Sequence, residues 1–177
     1  FLYTNILGTH NLLECSRDYW INKLKGDEDF KFIHISTDEV YGSLDENSDS
    51  FTEFSQYKPN SPYSASKASS DHLVRAYNKT YGLPTIITNC SNNYGPHQHP
   101  EKLIPLAILK IISRQSIPIF GNGEQIRDWI HVNDHCQALL NVLYNAKGGS
   151  RFNIGGSNEI SNLNLIRKIC SIYDEFH

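Results

Sequence analysis

The feature that most constrains the fold is a long helix-forming segment between two short segments rich in β-branched residues. Residues 31–36 and 85–90 each predict a buried strand. Between them, Ser61 can cap a helix over residues 62–81, whose first position is a proline, and Gly82 can end it. A strand, a helix and a strand in this order predict a right-handed parallel crossover, because nearly all such connections have that hand.

The rest of the chain continues the alternation of helices and strands. The further predicted elements are helices over 101–114, over 133–146 and from Ser161 towards the end, strands over 117–120 and 151–154, and a turn at 121–123. An alternation of this kind predicts an α/β fold.

The two ends of the sequence predict an internal fragment of a longer protein. Residues 1–13 already have helical periodicity, and the last residues fall within a turn of a helix. The chain contains neither Gly-x-Gly-x-x-Gly nor Gly-x-x-Gly-x-x-Gly, so the usual pyrophosphate cradle of a dinucleotide fold is missing from it.

Composition excludes several classes of protein. The 177 residues can form one domain or parts of two, and a net charge of -3 disfavours nucleic-acid binding. No apolar run suggests a membrane span. The four cysteines are scattered without a Cys-x-x-Cys pair, which indicates reduced thiols in a cytoplasmic protein, and the eight histidines lack metal-ligand spacing, so we expect no metal.

Polar side chains follow both strands of the predicted crossover. Thr37, Asp38 and Glu39 come directly after the first strand, and Asn92 and Asn93 come after the second. Parallel strands present their carboxyl ends at one edge of a sheet, where ligands bind. These residues therefore predict a polar crevice, although a capped loop with solvated acids would explain the first group equally well.

A tyrosine and a lysine stand one helical turn apart at the start of the predicted helix. Residues at positions i and i+4 share a helix face, so Tyr63 and Lys67 are predicted neighbours. An ammonium group beside a phenol favours the phenolate, which can then act as a base at neutral pH. An isolated pair of this kind is more often a surface feature, so its neighbours in the sequence must decide its meaning.

Several blocks together resemble the extended short-chain dehydrogenase/reductase superfamily and, within it, the family of dTDP-glucose 4,6-dehydratases. The blocks that match, in the family's order, are residues 36–42, 62–68, 89–96, 100–105, 125–129 and 153–156. The resemblance implies a partial Rossmann-like, doubly wound parallel sheet with part of a smaller substrate-binding domain. It assigns residues 1–93 and 129–156 to the NAD-binding domain, and residues 94–128 and 157–177 to the substrate domain.

The resemblance also implies a reaction and a role for each polar group. Tyr63, supported by Lys67, takes the proton from the hydroxyl on sugar carbon 4 while hydride passes to NAD. Glu39 then removes the proton on carbon 5, Asp38 protonates the hydroxyl leaving carbon 6, and hydride returns to carbon 6. Thr37 hydrogen-bonds the oxygen on carbon 4. The net reaction converts dTDP-glucose to dTDP-4-keto-6-deoxyglucose.

The binding residues are implied by the same resemblance. Asn93, with Tyr63 and Lys67, is expected on the nicotinamide side. The substrate-binding residues are Thr37, Asn92, Lys102, Leu103, Pro118, Ile119, Phe120, Arg127 and Asn162. Arg127 can pair bidentately with phosphate oxygens, whereas its alternative role is a surface salt bridge with Glu124 or Asp128, which contributes little energy. Asn5 resembles the family's structural asparagine on the helix that flanks the site.

Other functions on the same scaffold stay open. A nucleotide-sugar 4-epimerase or a decarboxylase would keep the tyrosine and lysine, but the pair Asp38 and Glu39 favours dehydration. A non-catalytic sugar-nucleotide-binding or oligomerisation module is the third possibility. Without the first βαβ unit we expect these 177 residues alone to bind NAD poorly. The resemblance favours NAD over NADP and a homodimer that uses the helix near Asn5 and the helix of Tyr63.

Overall fold

A computed structural model describes residues 1–44 and 49–176 of the chain. The chain forms two compact units. Unit 1 comprises residues 1–90 and 138–154, and unit 2 comprises residues 91–137 and those from 155 onward. Both units contain helices and strands, so the predicted α/β fold is confirmed.

Five α-helices and six strands make up the described residues. The helices are α1 (Gly8–Asn22), α2 (Pro62–Tyr81), α3 (Leu103–Ile112), α4 (Val132–Asn145) and α5 (Asn162–Phe176). The strands are β1 (Phe32–Thr37), β2 (Thr85–Cys90), β3 (Asn92–Tyr94), β4 (Ile126–His131), β5 (Arg151–Ile154) and β6 (Glu159–Ser161). A π-helix, Leu2–Leu7, precedes α1, and a 3-10 turn, Asp38–Tyr41, follows β1.

The sheet of unit 1 has the order β1, β2, β5, and all of its strands are parallel. Thr37 at the end of β1 lies opposite Cys90 at the end of β2, and Cys90 lies opposite Ile154 at the end of β5. The three strands therefore end at one edge of the sheet. This confirms the parallel strand, helix, strand arrangement that the sequence predicts.

Helix α2 begins and ends where its capping residues predict. The Ser61 hydroxyl accepts a hydrogen bond from the Ser64 amide, and the Ser64 hydroxyl accepts one from the Ser61 amide, each at 3.0 Å. This reciprocal capping box satisfies amide groups that the first turn would otherwise leave without partners. At the other end, Gly82 adopts a left-handed conformation with φ of 72°, which costs glycine little.

An apolar core holds α2 between α1 and the sheet. Leu13 of α1, Val74 and Tyr77 of α2, and Leu83 and Ile87 around β2 form one buried cluster. Val74 and Tyr77 are three residues apart on α2, so they lie on one face of this helix, and that face packs against the core. Burial of this stripe fixes the rotation of α2 and hence the direction of its first turn.

Unit 2 contains a second sheet of three short strands. β3 pairs with β4 in parallel, and β4 pairs with β6 in antiparallel fashion. The loop after β5 passes so close to β4 that a side chain on Gly156 would collide with the carbonyl group of Trp129. The Asp128 carboxylate accepts hydrogen bonds from the amides of Gly156 and Asn158, each at 2.7 Å, and so holds this loop in place.

The structure also corrects the sequence-based prediction in three places. Residues 117–120 form no strand, because Pro118 lacks a donor and no neighbouring chain pairs with the segment. The helix predicted over 101–114 is limited to α3. The strands of unit 2, which are β3, β4 and β6, were not predicted, since β3 and β6 are only three residues long and depend on pairing with β4. Within the described part of the chain, no helix is long and apolar enough to cross a membrane.

The capping box yields a stability prediction. Ser61→Ala removes the hydroxyl that accepts from the Ser64 amide, so we expect the free energy of unfolding to fall by about 1 kcal/mol. Ser69→Ala is the matched control, because the Ser69 hydroxyl only donates to the Ala65 carbonyl within the same helix. Urea titrations of both variants would measure the difference, and equal stabilities would show that the cap contributes nothing.

Candidate active site

The acidic residues after β1 lie on a short turn that is held by hydrogen bonds of the Thr37 hydroxyl. The Thr37 hydroxyl accepts a hydrogen bond from the Glu39 amide and donates one to the Asp38 carboxylate, both at 3.2 Å. Val40 and Tyr41 are buried, which leaves Asp38 partly exposed and Glu39 exposed. The turn thus fixes the backbone of both acids at the carboxyl end of the sheet while their side chains face solvent.

Tyr63 and Lys67 occupy the first turns of α2, next to the same strand end. The Lys67 ammonium group donates a hydrogen bond of 2.7 Å to the carbonyl oxygen of Ile35 in β1. The Tyr63 side chain is partly exposed, and its ring contacts Phe1 edge-on with 5.5 Å between ring centroids. The Lys67 hydrogen bond therefore ties the helix directly to the strand that carries the acids.

The electrostatic surroundings of Tyr63 include both acids. Burial raises the pKa of the Tyr63 phenol, and the nearby charges of Glu39, Cys90 and Asp38 raise it further. Lys67 was expected to favour the phenolate, but in this structure its ammonium group is bound to the Ile35 carbonyl, and burial, followed by the neighbouring groups, raises the tyrosine pKa. The prediction of a lowered tyrosine pKa is therefore wrong for the chain as it stands.

Burial and neighbouring charges act on the pKa of Lys67 in opposite directions. Burial lowers the pKa of the Lys67 ammonium group, while the charges of Asp71 and Cys90 act in the opposite direction. All five residues predicted as catalytic lie in unit 1, and the structure brings them together at the carboxyl end of β1. Such a group of carboxylates, phenol and ammonium can transfer protons to and from one small ligand.

A buried network beneath this site was not predicted from the sequence. The Asp71 carboxylate accepts hydrogen bonds from Tyr57 at 2.6 Å and Asn89 at 3.2 Å, and it lies 3.1 Å from Nε2 of His34. Burial alone would raise the pKa of Asp71, but contact with His34 and Tyr57 outweighs burial and lowers it. The only sequence signal was the position of Asp71 one turn after Lys67.

In unit 2, the predicted nicotinamide-side residue Asn93 is held by a histidine that sequence reasoning missed. Asn92 and Asn93 lie in β3 opposite Trp129 and Ile130 of β4. Nδ1 of His135 lies 2.8 Å from Oδ1 of Asn93, and since that oxygen can only accept, the histidine donates. Burial lowers the pKa of His135, which favours its neutral form.

Arg127 and Asn162 lie near each other through the pairing of β4 with β6. Arg127 is opposite Ile160, and the Asn162 amide donates to the Gln125 carbonyl at 3.0 Å. The Arg127 guanidinium is exposed and donates only to the adjacent Ile126 carbonyl, at 2.8 Å. Among the described residues no ion pair joins it to Glu124 or Asp128, so the alternative role as a surface salt bridge is not seen.

The remaining predicted binding residues also lie in unit 2. Lys102 caps α3 and Leu103 is its first residue, and α3 packs against α5. Pro118, Ile119 and Phe120 form an irregular segment, and Ile119 comes close to Gly123 near the start of α5. In unit 1, Asn5 lies on the π-helix, and its amide donates to the Ser66 hydroxyl of α2 at 2.9 Å.

Comparison with known proteins identifies relatives of the whole described chain. dTDP-glucose 4,6-dehydratase of Neisseria meningitidis serogroup B is 56% identical over 176 residues, which cover 99% of this chain and 50% of the relative. dTDP-glucose 4,6-dehydratase 1 of Escherichia coli K12 is 55% identical over 185 residues, which cover 99% and 51%. The chain thus spans about half the length of the curated relatives that it matches.

Solved structures of similar proteins share the fold. dTDP-glucose 4,6-dehydratase of Bacillus anthracis, in complex with NAD, is 46% identical with a TM-score of 0.91, covering 98% of this chain and 53% of that one. UDP-glucuronic acid 4-epimerase of Bacillus cereus is more distant, at 31% identity and a TM-score of 0.82, covering 97% and 52%.

The family comparison covers the same range. The family described as GDP-mannose 4,6 dehydratase matches residues 1–176, which is nearly the full chain. Together with the Rossmann-like sheet of unit 1, this match shows that the chain belongs to the GDP-mannose 4,6-dehydratase family.

Proposed function

We propose that the chain carries the catalytic residues of an NAD-dependent lyase that converts dTDP-glucose to dTDP-4-keto-6-deoxyglucose. One observation carries the proposal: the turn of Asp38 and Glu39 begins at the carboxyl end of a parallel sheet, and Lys67, one helical turn from Tyr63, is hydrogen-bonded to the same strand. An epimerase needs the phenol but has no use for two acids beside it. Identity above 50% to dTDP-glucose 4,6-dehydratases supports the same choice.

The residues around Tyr63 fit a cofactor that carries a positively charged ring. Tyr63 has a raised pKa because burial and the neighbouring groups of Glu39, Cys90 and Asp38 oppose its phenolate, so a base role requires additional positive charge. NAD, when bound, supplies an oxidised nicotinamide that accepts hydride from carbon 4 and returns it to carbon 6. Lys67, fixed on the Ile35 carbonyl, holds its ammonium group one helical turn from Tyr63 and adds to this charge.

The two acids have different surroundings, which suits different roles. Glu39 is exposed, and in this proposal its carboxylate removes the proton from carbon 5 and returns it there when hydride reaches carbon 6. Asp38 is partly buried, and its hydrogen bond with the Thr37 hydroxyl holds the carboxyl group at the turn, where its protonated form would donate to the hydroxyl leaving carbon 6. Thr37 also hydrogen-bonds the oxygen on carbon 4 in this proposal.

Unit 2 would bind the nucleotide portion of the substrate. Arg127 presents an exposed guanidinium, whose planar pair of donors matches the oxygens of a diphosphate. The other groups proposed to contact the substrate are Asn92, Lys102, Leu103, Pro118, Ile119, Phe120 and Asn162. Asn93, oriented by His135, is proposed to contact the nicotinamide together with Tyr63 and Lys67.

Further parts of the proposal concern the assembled protein. Residues 1–93 and 129–156 would belong to the NAD-binding domain, and residues 94–128 and 157–177 to the substrate domain. Exposed apolar side chains on α1, including Leu12 and Tyr19, support a homodimer. We place the protein in the cytoplasm, since no disulfide is found among the described residues, and propose neither a metal nor a nucleic-acid or membrane partner.

The direct test is product analysis with the full natural chain that carries these residues, supplied with NAD and dTDP-glucose. We expect dTDP-4-keto-6-deoxyglucose, identified by mass spectrometry as the loss of one water, with no net NADH. Given UDP-glucose or UDP-glucuronate in place of dTDP-glucose, the protein should form neither galactose nor pentose. Formation of either sugar, without dehydration of dTDP-glucose, would replace the proposed lyase with an epimerase or a decarboxylase.

The separate roles of Tyr63 and Glu39 predict distinct defects. Glu39→Gln should still oxidise carbon 4, so reduced nicotinamide should accumulate while product formation falls by about 100-fold or more. Tyr63→Phe should prevent both steps. Glu28→Gln is the matched control, because Glu28 is exposed and distant from the strand end. Stopped-flow absorbance of the nicotinamide would separate the variants, and normal turnover by Glu39→Gln would remove Glu39 from the mechanism.

The binding role of Arg127 predicts a loss of substrate affinity. Arg127→Gln should raise KM for dTDP-glucose by about 10- to 100-fold with a smaller effect on kcat, because a charge-assisted pair with phosphate is lost. Arg114→Gln, at another exposed position of unit 2, should leave KM unchanged. An unchanged KM for Arg127→Gln, measured by steady-state kinetics, would show that the diphosphate binds elsewhere.

A further inference from the structure

Asp71 is a fully buried carboxylate that the reaction scheme does not use. Its relative exposure is 0%, and burial of a charge is costly unless the charge is paired or hydrogen-bonded. Tyr57 and Asn89 donate to one of its oxygens, and His34 lies 3.1 Å from the other. A buried carboxylate with two donors on one oxygen and a histidine ring beside the other is a fixed charge beneath the candidate site.

The partners of Asp71 come from both strands of the crossover and from the segment before α2. His34 lies in β1, Asn89 in β2, and Tyr57 in the segment before α2, while Asp71 itself is on α2. The Asn89 amide also donates to the carbonyl oxygen of Thr37 at 3.1 Å. A continuous chain of hydrogen bonds therefore runs from α2 through Asn89 to the residue that begins the acidic turn.

Asp71 also lies one turn after Lys67 on α2, a spacing at which opposite charges attract. Lys67 is held against β1 by the Ile35 carbonyl, and burial there lowers the pKa of its ammonium group. Asp71 raises the pKa of Lys67 against this effect of burial, and Cys90 of β2 raises it to a smaller extent. The other charged or titratable groups nearby are His34 of β1, Tyr57 beside Asp71, Arg151 of β5 over the Tyr57 ring, and Asp38 and Glu39 beside Tyr63.

We propose that Asp71 is a positioning residue of the dehydratase site: it fixes α2 against the ends of β1 and β2 and acts as the buried counter-charge of Lys67. This inference rests on the proposed function for its kinetic consequence. Through Asn89 it sets the position of Thr37, and through its charge it favours the ammonium form of Lys67. Both effects act on residues that face the sugar, although Asp71 does not touch it.

The kinetic test compares pH profiles of variants that separate charge from structure. Asp71→Asn should lower kcat by about tenfold or more, and it should move the alkaline limb of kcat/KM to lower pH. The sign follows because loss of the carboxylate leaves the Lys67 ammonium group less stabilised, so it deprotonates earlier. Asp71→Glu should return the limb towards its original pH. Tyr57→Phe keeps the charge and removes one hydrogen bond, so it should destabilise the fold without moving the limb.

A second measurement does not depend on turnover. Acetylation of lysines by a small anhydride, followed by mass spectrometry, reports the fraction of free amine at each position. In Asp71→Asn, Lys67 should react severalfold faster at a given pH, with exposed Lys79 on the same helix as the internal reference. Unchanged reactivity of Lys67 would overturn the counter-charge role. A protein that makes no deoxysugar but shows the expected reactivity would refute the proposed lyase and leave this role intact.

A double substitution serves as the control for effects of the single variants on folding. If the two charges are coupled, Lys67→Met with Asp71→Asn should lose less of its unfolding midpoint than the sum of the single losses. Additive losses would contradict the coupling. If Asp71→Asn does not fold alone, a folded double variant would support the proposal, and an unfolded double variant would show that Asp71 is purely structural.

Discussion

The parallel pairing of β1 with β2 is the constraint on which the candidate active site depends. Because Thr37 lies opposite Cys90, both strands end at one level of the sheet, and the acidic turn leaves from that level. The crossover between these strands is α2, whose apolar stripe against Leu13 and Ile87 fixes its rotation. The hydrogen bond from Lys67 to the Ile35 carbonyl then joins the helix to the strand, which places the helix turn of Tyr63 beside the strand that carries the acids.

The resulting site has an excess of negative charge, and this accounts for its chemistry in the proposed function. Asp38, Glu39 and Cys90 all oppose ionisation of Tyr63, in addition to burial. A phenol in these surroundings becomes a base only when positive charge is brought close to it. Lys67 provides part of that charge, and Asp71 behind it compensates for the burial that weakens it. In the proposed function, the reactivity of Tyr63 is thereby linked to the positively charged nicotinamide ring of bound NAD.

Local signals in the sequence predicted the part of the fold that carries these residues. The bounds of α2 followed from Ser61 and Gly82, since caps act within a few residues, and β2 followed from its β-branched run. Unit 2 was predicted less well, because β3 and β6 are short and exist only through pairing with β4. Asp71 and His135 were missed for a related reason: their partners are distant in the sequence, and only the folded chain brings them together. The direction of the Tyr63 pKa shift was predicted wrongly for the same reason, because the spacing of Tyr63 and Lys67 does not reveal that Lys67 binds the Ile35 carbonyl.

The most direct test of this account is a crystal structure of the full natural chain with NAD and a non-reacting dTDP-sugar. The account predicts a single hexose with its carbon 4 oxygen within hydrogen-bonding distance of both Tyr63 and Thr37, and with carbons 5 and 6 facing Glu39 and Asp38. A hexose bound away from these side chains, or one that reaches Tyr63 while both carboxylates point elsewhere, would contradict the shared site.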